Sequence, residues 1–427
     1  MNYPEELIQM IWKCRVYAKL DLRCLHGEPV RVLDPGIHNH NAGPDFVQAK
    51  LIIAEITWVG HVEMHWHAKS WYTHQHQKND QYDNVILHVV WEGECDIKRK
   101  DGSVIPTLQL KNYLASTVLP LYYNIIQAKT WVPCANQLEN VPAHIKIQVL
   151  DRLIKNRMEV RAKEISNVLG RYANDWERVA RYLFVTSFGT KVNKQAFSRL
   201  MDSLPSNILD RYLHKEVEME SLLFGQAGLL KQDLADSYYT MLKHTYSYLQ
   251  QLHQLTPMES REWLFSRMRP ANFPTLRIAQ LAAVFTQFSR LCHLIISARD
   301  FRELQQYLAT LSTSAYWSTH YRFGTITKVR ETGLTPSFLD HIAINCFAPL
   351  LYAYGQHQGD ENLQERALDW LHQIPAERNT ITAHFGQFGL LAQHAGDSQA
   401  QLQLHREYCE PKQCLSCAIG VHLIRRP

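Results

Sequence analysis

Long apolar runs are missing from this sequence of 427 residues. No stretch approaches the roughly eighteen consecutive apolar residues that a membrane-spanning helix needs, so we expect no membrane span. The N-terminal stretch MNYPEELIQMIWK has Glu5 and Glu6 where a signal peptide would carry positive charge before an apolar core, so we expect no leader. Nine cysteines, an odd number, without such a signal indicate reduced thiols and a cytoplasmic location.

A strong net charge is absent as well. The formal net charge is +4 at pH 7, which permits a DNA or RNA partner without arguing for one, because a local patch matters more than the sum. Arginines between residues 152 and 181 are interleaved with acidic residues, a pattern that favours salt-bridged helix surfaces. Hydrophobic residues make up 46% of the chain, so we expect an ordered globular protein.

Two apolar periodicities divide the chain. Residues 4–20 predict an amphipathic helix, whereas Pro29 to Leu110 show the period of two that is typical of strands. The predicted strands are 45–55, 57–67, 84–94 and 103–110. Between the second and third strands the sequence predicts a short helix or helical loop with Ser70 as its cap, and Asp101-Gly102 predicts a hairpin turn.

After about residue 135 the pattern is helical almost throughout, and no fixed-length repeat is found. The predicted helical segments are 145–172, 175–202, 207–253, 259–309, 336–354 and 361–373. The fold class predicted is α+β, with an N-terminal mixed-sheet α/β domain followed by a larger all-helical region. The predicted domains are residues 1–135, residues 136–400 and a cysteine-containing segment, residues 401–427.

The second predicted strand, TWVGHVEMHWH, carries its polar residues on one side, since residues two apart share a face. The polar side consists of His61, Glu63, His65 and His67. Buried charge without a partner is too costly, so this side must face solvent, a cleft or a metal ion. Nine of the 22 histidines lie in the first hundred residues, which favours a functional cluster. The further candidate ligands are His74, His76 and His88.

Asp45 stands at the start of the preceding strand. A hairpin that turns near Ala54–Ile56 would bring Asp45 close to Glu63 or His65. Two carboxylates that close repel each other unless a cation lies between them. Oxygen ligands with open positions suit Mg²⁺ or Mn²⁺, which can activate water and stabilise a phosphate in its transition state.

Gly-Pro-Asp45, followed after seventeen residues by Glu63-Met64-His65, resembles the pattern of the PD-(D/E)xK nucleases. The resemblance implies a nuclease-like fold made of a helix, a strand hairpin, a second helix and a further strand. It also implies that Asp45 and Glu63 bind the divalent metal and that His65 stands where the family has lysine. A neutral imidazole can act as a general base near pH 7. Lys50 or Lys69 is the alternative source of positive charge.

Five longer segments, spread over both halves of the chain, resemble a bacterial family known as domain of unknown function 2851. They are NHNAGPDF (39–46), WVGHVEMH (58–65), HQHQKNDQYDNVILHVV (74–90), RPANFPTLRIAQLA (269–282) and YCEPKQCLSCAIG (408–420). The family name supplies no activity. The expectation of a metal-dependent, nuclease-like phosphodiesterase, a hydrolase, therefore depends on Asp45, Glu63 and His65.

Three alternatives remain open at this point. Asp45 can be a turn residue and the histidines a solvated sheet face or, for His88, part of the core. The fold can also be a catalytically silent module that binds nucleic acid or a protein partner. The third alternative is a zinc hydrolase whose ligands come from His65, His67, His74 and His76.

The C-terminal segment contains Cys409-x4-Cys414-x2-Cys417. Thiolates two residues apart can hold one metal, because the turn between them brings both sulfurs to one side. A structural Zn²⁺ needs a fourth ligand, and the candidates are His405, His422 and Cys346. An iron–sulfur cluster is the second possibility, since some nucleases of the superfamily carry one near the C-terminus. Three reduced thiols in a packed segment are the third.

Overall fold

The computed structural model describes residues 3–18, 21–288 and 290–425. The chain forms two compact units. The first comprises the residues up to Val149 together with His384–Leu390 and the residues from Gln403 onwards, and the second comprises Leu150–Ala383 and Leu391–Leu402. The predicted boundaries at residues 135 and 400 stay a prediction, because compactness alone does not show which segments fold independently.

The first unit is built on a six-stranded mixed sheet. Its strands, with two short ones that pair outside it, are β1 (Val30–Asp34), β2 (Ile37–His38), β3 (Phe46–Ile53), β4 (Ile56–His67), β5 (Val85–Glu92), β6 (Ile97–Lys98), β7 (Val104–Ile105) and β8 (Thr107–Gln109). The order is β1-β3-β4-β5-β8, with β2 also paired to β3. Strands β3 and β4 are antiparallel, whereas β5 runs parallel to β4 and to β8.

The main strands lie where the period of two predicts them. The hairpin between β3 and β4 turns at Ala54 and Glu55, as predicted, and both residues have positive φ. Strands β6 and β7 pair across Asp101-Gly102, which confirms that turn. Three strands of this unit, β1, β2 and β6, were not predicted.

Helices account for most of the rest of the chain. They are α1 (Glu5–Lys13), α2 (Ser70–Thr73), α3 (Val118–Gln127), α4 (Ala135–Leu138), α5 (Ala143–Arg171), α6 (Trp176–Phe188), α7 (Lys194–Asp202), α8 (Ser206–Arg211), α9 (Glu216–Gln226), α10 (Ser237–His253), α11 (Pro274–Gln287), α12 (Leu291–Ser297), α13 (Phe301–Ala309), α14 (Pro336–Ile342), α15 (Ala348–Gln358), α16 (Glu361–Gln373), α17 (Thr380–Gln387), α18 (Ala395–Leu404) and α19 (Ala418–Arg425). Within residues 3–18, 21–288 and 290–425, no single helix combines the length and the apolar character needed to cross a bilayer.

Three details differ from the sequence prediction. Helix α1 ends at Lys13, short of the predicted end at Leu20, which lies outside the described residues. Ser70 does not cap α2, because it is the first helical residue and Lys69 takes the cap position without a side-chain hydrogen bond. The C-terminal region is not all-helical, since β9 (His320–Arg322) and β10 (Thr325–Ile326) form a small hairpin. The coarser α+β class is confirmed.

The segment from α2 to Tyr82, which we call the covering segment (residues 70–82), packs over the polar side of β4. Trp71 is fully buried there, in one apolar cluster with Tyr82 and Val90. As a result Glu63 and His65 are buried, although they share a face that sequence reasoning assigned to solvent, a cleft or a metal. The polar side of β4 is therefore an enclosed polar site.

Candidate metal centre

The hairpin between β3 and β4 brings two carboxyl groups together. Asp45 immediately precedes β3, and Phe46 pairs with Val62 in β4. The backbone N–H of Asp45 donates to Oε2 of Glu63 at 3.1 Å, and the N–H of Met64 donates to Oδ2 of Asp45 at 2.9 Å. The predicted approach of Asp45 to Glu63 is observed, and the two residues fix each other's position.

Helix α1 contributes a residue that sequence reasoning missed. The amide Nε2 of Gln9 donates to Oδ1 of Asp45 at 2.8 Å. Gln9 is a polar position among the buried residues Ile8 and Met10 of α1. The polar residue within the apolar face of α1 is visible in the sequence. Its partner Asp45 lies 36 residues away and could not be predicted from the local pattern.

Three imidazoles converge beside the carboxyl pair. One potential ligand atom from each of His65, His74 and His76 lies within 4.8 Å of the others. Nε2 of His65 is 3.1 Å from Nδ1 of His74. His65 comes from β4, and the other two come from the covering segment. A strand and the chain packed over it thus supply one cluster.

Glu63 joins the imidazoles to the carboxyl pair. Its Oε1 is 3.3 Å from Nε2 of His76 and 3.7 Å from Nε2 of His65, while its Oε2 accepts from Asp45. Glu63 and His65 are 5% and 1% exposed, whereas His74 is exposed. The cluster is therefore enclosed on the side of the sheet and open beside His74.

His88 supports the cluster from the neighbouring strand. Parallel register places it beside Glu63, and its Nε2 is in hydrogen-bond contact with Nδ1 of His65 at 2.9 Å. His88 is completely buried and its Nδ1 has no hydrogen-bond partner. Since Nε2 of His65 faces His74 and Glu63, His88 stands behind His65 and not among the converging atoms.

Aromatic rings of the covering segment hold His76 in place. The ring of Tyr82 stacks on it with centroids 4.0 Å apart, and Trp71 meets it edge-on at 5.3 Å. Trp71 also packs edge-on against His88 at 5.6 Å. Sequence reasoning did not single out either aromatic residue, although both lie in the same short segment as His74 and His76.

Burial dominates the electrostatics of the site. It raises the pKa of Asp45, which the charge of Glu63 raises further, and it also raises the pKa of Glu63. Burial lowers the pKa of His65 to about 2, with further lowering by His88, His76 and His74. The pKa of His88 is lowered to about 3, again mainly by burial. A cation bound among these groups would stabilise the ionised carboxylates and so lower the pKa values of Asp45 and Glu63.

The remaining predicted residues lie elsewhere. His67 is exposed at the end of β4, with its Nδ1 3.6 Å from Oε1 of Glu92. Lys50 and Lys69 are exposed. Cys409, Cys414 and Cys417 lie near the C-terminus of the same unit, in a separate cluster described below.

Comparison with known proteins identifies a family. The model of the family described as Protein of unknown function (DUF2851) matches residues 5–380, so the chain belongs to that family. The matched range includes the whole carboxyl and imidazole cluster. No curated protein and no solved structure matches the chain.

Proposed function

We propose that the protein is a metal-dependent phosphodiesterase of the nuclease type, acting on nucleic acid, with its active site in the first unit. One observation carries the proposal: the Asp45–Glu63 pair and three imidazoles converge on one point of the sheet. The order of elements supports a nuclease-like fold. A helix precedes an antiparallel hairpin with the two carboxyls, and short helical turns and a parallel strand follow.

The spacing of the converging atoms fits one transition-metal ion. Two ligands about 2.0–2.1 Å from a tetrahedral ion are about 3.3 Å apart, and the measured separations are 3.1, 3.3 and 3.7 Å. The residues that would hold the ion are His65, His74 and His76, whose ligand atoms all lie within 4.8 Å of one another, and Oε1 of Glu63 lies beside two of them. Imidazole nitrogen with carboxylate oxygen suits Mn²⁺ or Zn²⁺ better than Mg²⁺, which prefers oxygen ligands.

A divalent ion supplies Lewis-acid activation of water and neutralises charge on a phosphate group. The protein residues position the site. His65 stays neutral because burial lowers its pKa to about 2, so it serves as a ligand and not as the base that the nuclease pattern suggested. His88 fixes the ring of His65 from behind. The Asp45 N–H fixes Oε2 of Glu63 and leaves Oε1 directed at the imidazoles.

The open side of the site suits a polyanion. His74 is the exposed member of the cluster, so water and substrate reach the site beside it. Lys69 and Lys78, which flank His74 and His76 in the sequence, are also exposed. Cations around an opening attract a phosphate backbone and hold it by charge, independently of base sequence.

The test is cleavage of plasmid, linear duplex and single-stranded DNA and of RNA, with Mg²⁺, Mn²⁺ or Zn²⁺ added to metal-free protein. We expect cleavage with Mn²⁺, and its loss by at least about 100-fold in Glu63→Ala and His76→Ala, because His76 is a ligand and Glu63 contacts both His65 and His76. His67→Ala is the matched control, since His67 is on the same strand but outside the cluster.

Equal cleavage by all three variants would place the chemistry outside this cluster. Binding of nucleic acid without cleavage, for every metal and substrate, would replace the proposal by a silent binding module. Far-ultraviolet circular dichroism of each variant confirms that a loss of cleavage is not a loss of folding.

A zinc hydrolase that acts on other substrates is the second candidate. The set of three imidazoles favours it, because three protein ligands and one open position are typical of catalytic zinc. Hydrolysis of activated carboxylic or phosphate monoesters with Zn²⁺, together with intact nucleic acids under the same conditions, would favour this candidate over the nuclease.

A further inference from the structure

A second cluster of potential ligands lies elsewhere in the first unit. It contains four cysteines, which we call the thiol cluster: Cys134, Cys409, Cys414 and Cys417. Cys134 immediately precedes α4, Cys409 ends a π-helical stretch that begins at His405, and the other two flank the turn before α19. None of the four forms a disulfide. The last three were predicted from the sequence as metal ligands, and Cys134 was not.

Contacts on both sides of these cysteines bring the two distant segments together. The ring of Trp131, three residues before Cys134, stacks on His405 with centroids 4.8 Å apart and an interplanar angle of 22°. Nζ of Lys412, two residues before Cys414, donates to the carbonyl of Ile126 at 2.9 Å. The chain around residues 126–134 thus lies against residues 405–412.

The thiols are close enough to influence one another. Burial raises the pKa of Cys134 to about 12, and the charges of Cys417 and Cys414 raise it further. Burial also raises the pKa of Cys409, with contributions from Cys417, Cys134 and Cys414. Cys414 and Cys417 are buried and Cys134 and Cys409 are half-buried, so the four thiols lie near one another in a largely enclosed group.

The turn that carries Cys414 and Cys417 is tightly packed. A Cβ added at Gly420 would lie 2.2 Å from the carbonyl oxygen of Cys414, so only glycine fits there. Cys417 starts the first turn of α19 through its carbonyl, which accepts from the N–H of Val421 at 2.8 Å. Cys414 and Cys417 are 6% and 7% exposed. The backbone holds both sulfurs in a protected position.

We propose that Cys134 completes a four-thiolate metal centre with Cys409, Cys414 and Cys417. This site is separate from the proposed hydrolase site and does not depend on it. The alternatives for a fourth ligand have other surroundings. His405 stacks on Trp131 with its Nδ1 3.4 Å from Oε1 of Glu410. Cys346 belongs to the second compact unit.

The spacing of the sulfurs indicates which metal centre the cluster takes. Two sulfurs bound at about 2.3 Å to one tetrahedral Zn²⁺ are about 3.8 Å apart. Among the described residues, only His65, His74 and His76 bring three potential ligand atoms within 4.8 Å of one another. No three of the four sulfurs are therefore that close. A [4Fe–4S] cluster binds each of its four thiolates through a different iron atom and a [2Fe–2S] cluster binds them in two pairs, so neither brings three sulfurs that close together. We therefore expect an iron–sulfur cluster.

The test is the metal content of the full-length protein purified without oxygen. We expect iron and acid-labile sulfide in equal amounts, with the visible absorption of an iron–sulfur cluster. Cys134→Ser should lose both, whereas Cys95→Ser, at a cysteine of the same unit outside the thiol cluster, should retain both. Cys134→His should keep iron with an altered absorption spectrum, a change that a purely structural role of Cys134 would not produce.

Three results would overturn the proposal or part of it. Wild-type iron content and spectrum in both Cys134 variants would remove Cys134 from the centre. One zinc per chain without iron, lost in Cys134→Ser, would overturn the iron–sulfur assignment. Wild-type protein without iron or zinc, after reconstitution with iron, sulfide and zinc, would reject the centre altogether. If Cys134→Ser does not fold, Cys134→His alone decides the role of Cys134.

Discussion

At the scale of single residues, the carboxyl pair makes stability depend on pH and metal together. The pKa values of Asp45 and Glu63 are raised to about 8 in the folded protein. The folded state then holds protons that the unfolded state has released, so stability falls as the pH rises towards 8. The lowered pKa of His65 works in the opposite direction, with stability lost as the pH falls below the usual histidine range.

The carboxyl effect begins at about pH 4, where the unfolded carboxyls ionise, and the opposing effect of His65 is complete at about pH 6.5. For metal-free wild type we therefore expect a net fall in the free energy of unfolding from about pH 6.5 to about pH 8. Added Mn²⁺ or Zn²⁺ should remove the fall, because a cation favours the ionised carboxyls. Urea unfolding with chelator or with metal measures both effects. Glu63→Gln, which cannot ionise, should show a smaller fall, and an equal fall in this variant would contradict the assignment to the pair.

A second prediction at this scale concerns His88. His88→Phe keeps a ring in the buried position but removes the nitrogen that contacts His65. Because the loss of a group that orients a ligand typically weakens metal binding, we expect an affinity about 10–100-fold lower. Competition with a chromogenic chelator measures it, with His67→Ala as control. Unchanged affinity in His88→Phe would show that His88 does not position His65.

At the scale of elements, the β3–β4 turn aligns Asp45 with Glu63 at a cost in backbone conformation. Ala54 and Glu55 have φ of 46° and 65°, a region that non-glycine residues occupy at some cost. Ala54→Asn with Glu55→Gly supplies the residues that such a two-residue turn prefers. We expect a gain of about 1 kcal/mol in the free energy of unfolding, measured by urea denaturation.

A substitution in the turn between β6 and β7 should change the free energy of unfolding in the opposite direction. Gly102 has φ of 85°, so Gly102→Ala should destabilise the protein. If both replacements destabilise, the conformation of Ala54 and Glu55 is not the source of strain. The metal affinity of the doubly substituted β3–β4 turn variant should stay unchanged, because the register of the hairpin is retained.

Local sequence patterns predicted much of the first unit. The alternation in TWVGHVEMHWH indicated the strand and the shared face of Glu63 and His65, and this face is observed. The patterns did not predict β1, where the short VRVLD is followed by Pro35 and Gly36, or the length of α1. They also missed that residues 70–82 fold back over the polar face, because burial of Trp71 against Val90 is decided by tertiary packing.

The candidate site was predictable only as far as local register reaches. The proximity of Asp45 to Glu63 follows from a two-stranded hairpin. The contact of Gln9 with Asp45 and the stacking of Trp131 on His405, close in sequence to Cys134 and Cys409, depend on segments far apart in the chain. No periodicity encodes such pairs, since nothing in the local sequence of Cys134 specifies which distant residues will pack beside it.

At the scale of the whole molecule, the two compact units are interleaved along the sequence. Residues from Gln403 onwards belong to the first unit, although the segments of the second precede them. We expect their amide hydrogen exchange to follow that of β3 and β4 when conditions are made destabilising, because cooperative units open together. Exchange that follows α11 and α15 instead would contradict this division.

The same interleaving sets an order for folding during synthesis. Domains usually fold as they leave the ribosome, the N-terminal one first. Here the sheet of the first unit emerges early, yet Cys409, Cys414 and Cys417 emerge only after the segments of the second unit have been made. During that interval Cys134 and the surface around Trp131 lack the C-terminal residues that pack against them in the folded protein. The unit whose synthesis begins first is thus the last whose synthesis is completed. A chaperone has time to bind its incomplete surface.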